Sequence, residues 1–245
     1  MLETAAALLL AHALADFVFQ SSWMVENKRQ PHVLALHAGI VLIASLLALG
    51  QLWSLPVLVL ALLHLATDAA KARLGNGGLR PYLLDQIAHF SAIAMIAVWA
   101  PDLWRTGVWA NRLPDEAAAA LPSIMVVAAG LIFAVRAGGF AVAALLQPYN
   151  RYWVRYRVLS GGLKDAGRRI GELERGLAFV LVLAGYPTGV AFLIAAKSVL
   201  RFNATRDDRR IAEYVIIGTL ASVGWALIMA FAAQAMLHGL TLPPP

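Results

Sequence analysis

Six stretches of this chain, at 2–20, 33–52, 55–72, 83–100, 121–147 and 211–237, are apolar over the length at which a helix can cross a lipid bilayer. About 20 such residues are needed for a hydrocarbon core of roughly 30 Å. Six crossings are therefore the minimum, and the expected fold is an all-α polytopic membrane bundle. The composition agrees: 60% of the 245 residues are hydrophobic and only 14% are charged, well away from a soluble domain.

The first window lacks a basic start, carries Glu3, and holds His12 and Asp16 where a signal peptide has an uncharged core. It reads as a mature helix. With no cysteine in the chain, disulfides and thiolate sites are excluded, and any metal must be held by nitrogen and oxygen. The net charge of +6 does not call for a nucleic-acid partner, because basic residues gather in the cytoplasmic loops of membrane proteins.

A seventh apolar stretch, 171–202, breaks at "AGYPTG" (184–189), where Pro187 lacks a backbone donor and two glycines permit a sharp reversal. Arms of about 11 to 13 residues, roughly 16 to 20 Å long, enter a bilayer without leaving its far side. A re-entrant helical hairpin is expected, its tip buried among the other helices. One orientation then satisfies the charges. With both termini outside, the inner face receives Lys28 and Arg29, then Lys71, Arg73 and Arg80. It also receives twelve basic residues between Arg151 and Arg210, making 17 of the 20 lysines and arginines. The chain divides into a four-helix half, 1–100, and a second half, 101–245, with an outer loop, a basic cytoplasmic loop, the hairpin and the last crossing.

The polar residues of the first half follow a pattern. "HALADFVFQ" places His12, Asp16 and Gln20 on one helix face; the second helix begins just before His37; "LLHLATDAAK" stacks His64, Asp68 and Lys71; "DQIAH" sets Asp85 and His89 four apart. Under the charge-derived orientation Asp16, His37, Asp68 and Asp85 all fall in the inner leaflet. A carboxylate in hydrocarbon costs roughly 2.5 to 3.5 kcal/mol even on the lenient insertion scale, so three of them with four histidines need a shared compensator. A divalent cation suits: zinc first, with manganese or iron accepting the same donors. Seven candidates exceed one tetrahedral shell, so either two ions bind or some residues support the ligands or act as the base. An ordinary ion pair between Asp68 and Lys71 competes with a ligand role for Asp68. His32 and His238 read as structural.

In the second half, Lys197 and Arg201 lie four apart on the outgoing hairpin arm and Arg136 lies within the fifth span. Pairing with Glu172 or Glu174 is one reading, snorkelling suits Arg201, and contact with a lipid phosphate is the other. "GTLAS" (218–222) reads as a close-approach surface between helices rather than a binding site.

The runs "HALADFVFQSSWMVENK", "HLATD" with Lys71, "DQIAH", "GRRIGELER", "AAKSVLRF" and "EYVIIGTLAS" resemble an uncharacterised family of bacterial integral membrane proteins, a domain of unknown function. That resemblance implies a bacterial inner-membrane location and supports His12, Asp16, His37, His64, Asp68, Lys71, Asp85 and His89 as the residues that matter. The cluster is similar in style, not in motif order, to seven-helix zinc hydrolases such as alkaline ceramidases, an analogy of chemistry alone.

The expected function is a metal-dependent hydrolase acting on a lipid-like substrate at the cytoplasmic leaflet. Asp16 or Asp85 would be the base, Lys71 a further catalytic group, and Arg136, Lys197 and Arg201 would hold a head group. A cation or proton carrier is the first alternative, since intramembrane His and Asp also form relays. A structural or partner-docking protein with a bracing metal is the second. Membrane lipids are the expected partners; self-association is left open.

Overall fold

The computed structural model describes residues 1–74, 77–156, 165–205 and 209–241, with the side chains at 74, 150–156, 200–205 and 209–211 outside that description. Every regular element among them is helical. In chain order these are α1 (Leu2–Leu14), running on as a π segment (Ala15–Phe19), α2 (Ser22–Glu26), α3 (Pro31–Leu49), α4 (Leu55–Leu74), α5 (Leu79–Trp99), α6 (Val108–Arg112) and α7 (Asp115–Ile132). A second π segment (Phe133–Ala137) joins α7 to α8 (Gly138–Tyr156), followed by α9 (Ala166–Leu183), α10 (Thr188–Thr205) and α11 (Arg209–Thr241). Six segments are long and apolar enough to cross a membrane, with α7 and α8 counted as one. They correspond to the six windows.

The chain forms two compact units, Met1–Ile132 with Ala235–Pro245, and Phe133–Gln234. The first therefore runs past residue 100 and includes α7. At its heart is α1, which packs on α3, α5 and α7. The reason is the small side chain: Ala6, Ala7, Ala11, Ala13 and Ala15 are fully buried, and alanine lets neighbouring helices approach closely where no hydrophobic effect drives them together. Outward-facing Leu36, Ile43, Leu62, Ile87 and Val98 are exposed while His12, His37, His64, Asp68, Asp85 and His89 are buried. Polar residues inside and aliphatic ones outside invert the soluble pattern, as lipid as solvent requires.

The end of this unit away from the His/Asp cluster is closed by 100–112. Gly50 ends α3 in the left-handed conformation (φ 68°), and a Cβ on Gly107 would meet the Leu49 carbonyl at 2.0 Å. Only glycine permits that approach. The Thr4 hydroxyl donates to the Pro101 carbonyl at 2.7 Å, and the Trp109 indole donates to the Leu47 carbonyl at 2.7 Å.

Within the second unit α9 and α10 form the expected helical hairpin, but its arms are longer, 18 residues each. Its tip is exposed from Ala184 to Thr188, with Tyr186 66% accessible, which corrects the expectation of a buried tip. The turn satisfies its own backbone: Ala184, Gly185 and Tyr186 donate to the Val180, Val182 and Leu181 carbonyls at 2.9, 3.0 and 2.8 Å, with Gly185 at φ 81°. This is a glycine-dependent helix cap, so no neighbouring helix has to supply partners.

The same unit explains its π segment. A π turn leaves carbonyls outside the regular ladder. Here the Val135 carbonyl accepts from Arg175 Nε and Nη2 at 3.1 and 2.9 Å, and the Phe133 carbonyl accepts from the Trp225 indole at 2.9 Å. Arg175 Nη1 also donates to Ser222 Oγ at 3.1 Å. Ser222 is thus a hydrogen-bonding residue, correcting its reading as close-approach surface, whereas Gly218 does face Leu146, 3.4 Å from where its Cβ would stand. Arg175→Met leaves the Val135 carbonyl and Ser222 without this donor and is expected to lower the stability of the detergent-solubilised protein by about 2 kcal/mol, readable as a fall in Tm.

Candidate metal centre

Four helices of the first unit bring the cluster together. His12 lies at the end of the regular part of α1 and Asp16 within its π segment, His37 on α3, His64 and Asp68 on α4, and Asp85 and His89 on α5. Gln20 follows the π segment and ends the helix, its extended ψ of 106° turning the chain away after it, while its Nε2 is buried without a hydrogen-bond partner among the described residues.

The centre is the Oδ1 atom of Asp16. It lies 3.3 Å from His37 Nε2, 3.4 Å from His64 Nε2 and 3.6 Å from His12 Nδ1. The Oδ2 atom of Asp68 lies 3.5 Å from His37 Nε2 and 3.7 Å from His64 Nε2, and the two Nε2 atoms are 3.1 Å apart. A tetrahedral zinc shell with bonds near 2.0 to 2.1 Å has ligand-to-ligand edges of about 3.3 Å. The spacings from His37 and His64 to each carboxylate lie near that length, and two overlapping triads, His12 with Asp16 and His64, and His37 with His64 and Asp68, each bring ligand atoms within 4.8 Å of one another. The two carboxylate oxygens that face the imidazoles, Asp16 Oδ1 and Asp68 Oδ2, are buried without a hydrogen-bond partner among the described residues. Buried acceptors of that kind are rare unless something binds them.

A second group adjoins the first. Asp68, Asp85 and His89 also bring ligand atoms within 4.8 Å of one another, as do His12, Asp16 and His64. The His89 ring lies 4.0 Å from that of His64 and 5.0 Å from that of His12, centroid to centroid. Both His89 nitrogens and Asp85 Oδ1 are buried without a hydrogen-bond partner among the described residues.

Two lysines balance the rim. Lys28 Nζ donates to Asp68 Oδ1 at 2.9 Å, and Lys71 Nζ donates to Asp85 Oδ2 at 2.5 Å, which also accepts from Gln86 at 3.2 Å. The expected Asp68–Lys71 pair is therefore corrected. Each carboxylate takes its lysine from a different segment, because Lys71 reaches forward to the next helix. Lys28 and Gln86 are the site residues that spacing alone missed. Lys28 lies in a connection with no helical period to mark it, and Gln86 precedes the periodic His89 by three.

Of the basic candidates, Lys197 donates to Glu174 at 2.6 Å within the second unit, the pairing reading of the sequence. Arg136 lines a cavity of about 440 Å³ there with Arg168, Glu172 and Arg175. The Arg201 side chain lies outside the described residues.

Apolar helices enclosing a cluster of ionisable groups define a multi-pass membrane protein with a buried polar centre. Residues 5–110 match the model of a family described as a protein of unknown function, DUF3307, and that stretch contains every member of the cluster. No curated protein and no solved structure matches the chain.

Proposed function

We propose that this chain is a metal-dependent hydrolase of the bacterial cytoplasmic membrane, acting on a lipid-like substrate at the inner leaflet. The observation that carries the reading is the buried pair of His37 and His64 set against Asp16 and Asp68, in triads close enough to hold a metal ion and with two carboxylate oxygens otherwise unpartnered among the described residues. The charge-derived orientation, with both termini outside, would set this cluster under the inner head groups, and the helical hairpin of the second unit is read as re-entrant from the Pro- and Gly-containing reversal at 184–189.

A bound divalent cation supplies a water of lowered pKa and polarises the scissile oxygen. The chain's own residues divide the remaining work. Asp16, at the centre of three imidazoles, is a ligand rather than the base. Asp85 suits the base: Lys71 and Gln86 hold its Oδ2 and leave Oδ1 to take a proton from the attacking water. Lys71, 38% exposed on its side chain, stands at the rim where negative charge develops. Within the second unit Arg136 lines a cavity, where contact with a membrane-lipid phosphate is retained for it.

The carrier reading draws less support. Beside His12, His64 and His89 a cavity of about 10 Å³, room for roughly one water, is lined by Leu8, Val41, Leu60, Ala92 and Ile93, with the Ser45 hydroxyl as its one further polar group. A relay would need a longer run of protonatable groups. Elemental analysis of the detergent-purified chain is expected to find one or two equivalents of a transition metal; folded protein without metal overturns the reading. Liposome flux driven by a metal or pH gradient and abolished by Asp68→Asn would favour the carrier instead.

A further inference from the structure

We infer that the first unit carries a second binding site, for the phosphate of an anionic lipid head group, between the start of α3 and the end of α4. A cavity of about 440 Å³ lies there, lined by Arg29, Pro31, Leu34, Ala69, Ala72 and Arg73. That volume falls in the range of small-molecule sites. Neither Arg29 nor Arg73 has a hydrogen bond or an ion pair among the described residues, in contrast to Lys28 and Lys71, which are both taken up by buried aspartates. Two guanidiniums with free donors face one space whose remaining walls are aliphatic. This is the chemistry of a phosphate joined to a hydrocarbon body.

Three further features favour lipid over a soluble phosphate. The walls at Leu34, Ala69 and Ala72 offer apolar contact that inorganic phosphate cannot use. Trp23, 53% exposed, and Val25, 55% exposed, lie just upstream on α2, and exposed tryptophan beside a spanning helix marks the head-group level. The first turn of α3 has no side-chain cap, so its partial positive charge adds to the arginines.

The cavity also joins the metal centre through the chain itself. Arg29 follows Lys28, the partner of Asp68, and Ala69 follows Asp68. On the reading of the cluster as a hydrolytic centre, this site holds the substrate's head group and makes the substrate class a phosphate-bearing anionic lipid. The binding claim itself stands without that reading.

The test is affinity of the full detergent-purified chain for dioctanoyl phosphatidylglycerol, dioctanoyl phosphatidylcholine and inorganic phosphate, with metal content and Tm measured alongside. Phosphatidylglycerol is expected to bind most tightly. Arg29→Gln and Arg73→Gln are expected to weaken it about five-fold each, and the double variant about 30-fold. Both side chains are exposed, so Tm and metal content stay at the wild-type values. Unchanged affinity in the double variant overturns the site. Equal affinity for phosphatidylcholine overturns the anionic selectivity, and equal affinity for inorganic phosphate overturns the lipid assignment. Arginine-dependent lipid binding in a protein that holds no metal would support this site while removing the hydrolase reading. Metal without arginine-dependent binding would do the opposite.

Discussion

Replacing His37 and His64 together by alanine is expected to abolish stoichiometric metal binding, while His89→Ala keeps the stoichiometry and weakens affinity about 10- to 100-fold. The difference follows from geometry. His37 and His64 each lie within 3.7 Å of both Asp16 Oδ1 and Asp68 Oδ2, so the double variant removes the imidazoles that face both carboxylates. His89 stands behind His64, with its closest carboxylate contact 3.9 Å away at Asp85. Elemental analysis reads the first effect and metal titration of chelator-treated protein reads the second. Because a bound ion stabilises only the folded state, chelator should also lower the Tm of the wild-type chain and leave that of the double variant unmoved. A double variant that retains a full equivalent of metal would show that these four residues are not the shell.

Lys28→Met is expected to destabilise the metal-free protein by about 3 kcal/mol, because it strands a buried carboxylate. The Asp68 side chain is 2% exposed, and among the described residues Lys28 is its one hydrogen-bond donor, at 2.9 Å. Adding Asp68→Asn removes the uncompensated charge, so the double variant should recover more than half of the loss, a coupling that a double-mutant cycle measures directly. Saturating zinc should shrink the deficit of Lys28→Met as well, since a divalent cation beside Asp68 Oδ2 supplies the missing positive charge. Lys71→Met should cost less, about 1 kcal/mol, because Lys71 is 38% exposed and solvent screens its pair. If zinc leaves the Lys28→Met deficit unchanged, the cation does not share Asp68 with the lysine.

The candidate site was legible because its signal is local. His64 with Asp68 and Asp85 with His89 are four apart on single helices, and a helix of 3.6 residues per turn sets such pairs on one face whatever the neighbours do. Loop charges led to the expectation that they share one depth, and the structure brings these side chains together. The Asp68–Lys71 pair, one of two readings open in the sequence, is not formed because partner choice depends on other segments: Lys71 takes Asp85 on α5 and Asp68 takes Lys28. The buried hairpin tip was misjudged because a glycine cap meets the backbone's needs locally, and no period in the sequence shows which carbonyl a turn will use.

The sequence by itself determined the six apolar segments, the absence of thiolate chemistry, and the identity of the seven imidazole and carboxylate residues, all properties of composition and short-range spacing. Only the tertiary structure decided which of them stand within ligand distance of one another, which lysine each aspartate takes, and where two arginines face a cavity. Those outcomes depend on alanine-lined α1 packing on α3 and α5 while α4 packs on both. Contacts at that range are fixed by packing between segments far apart in the chain.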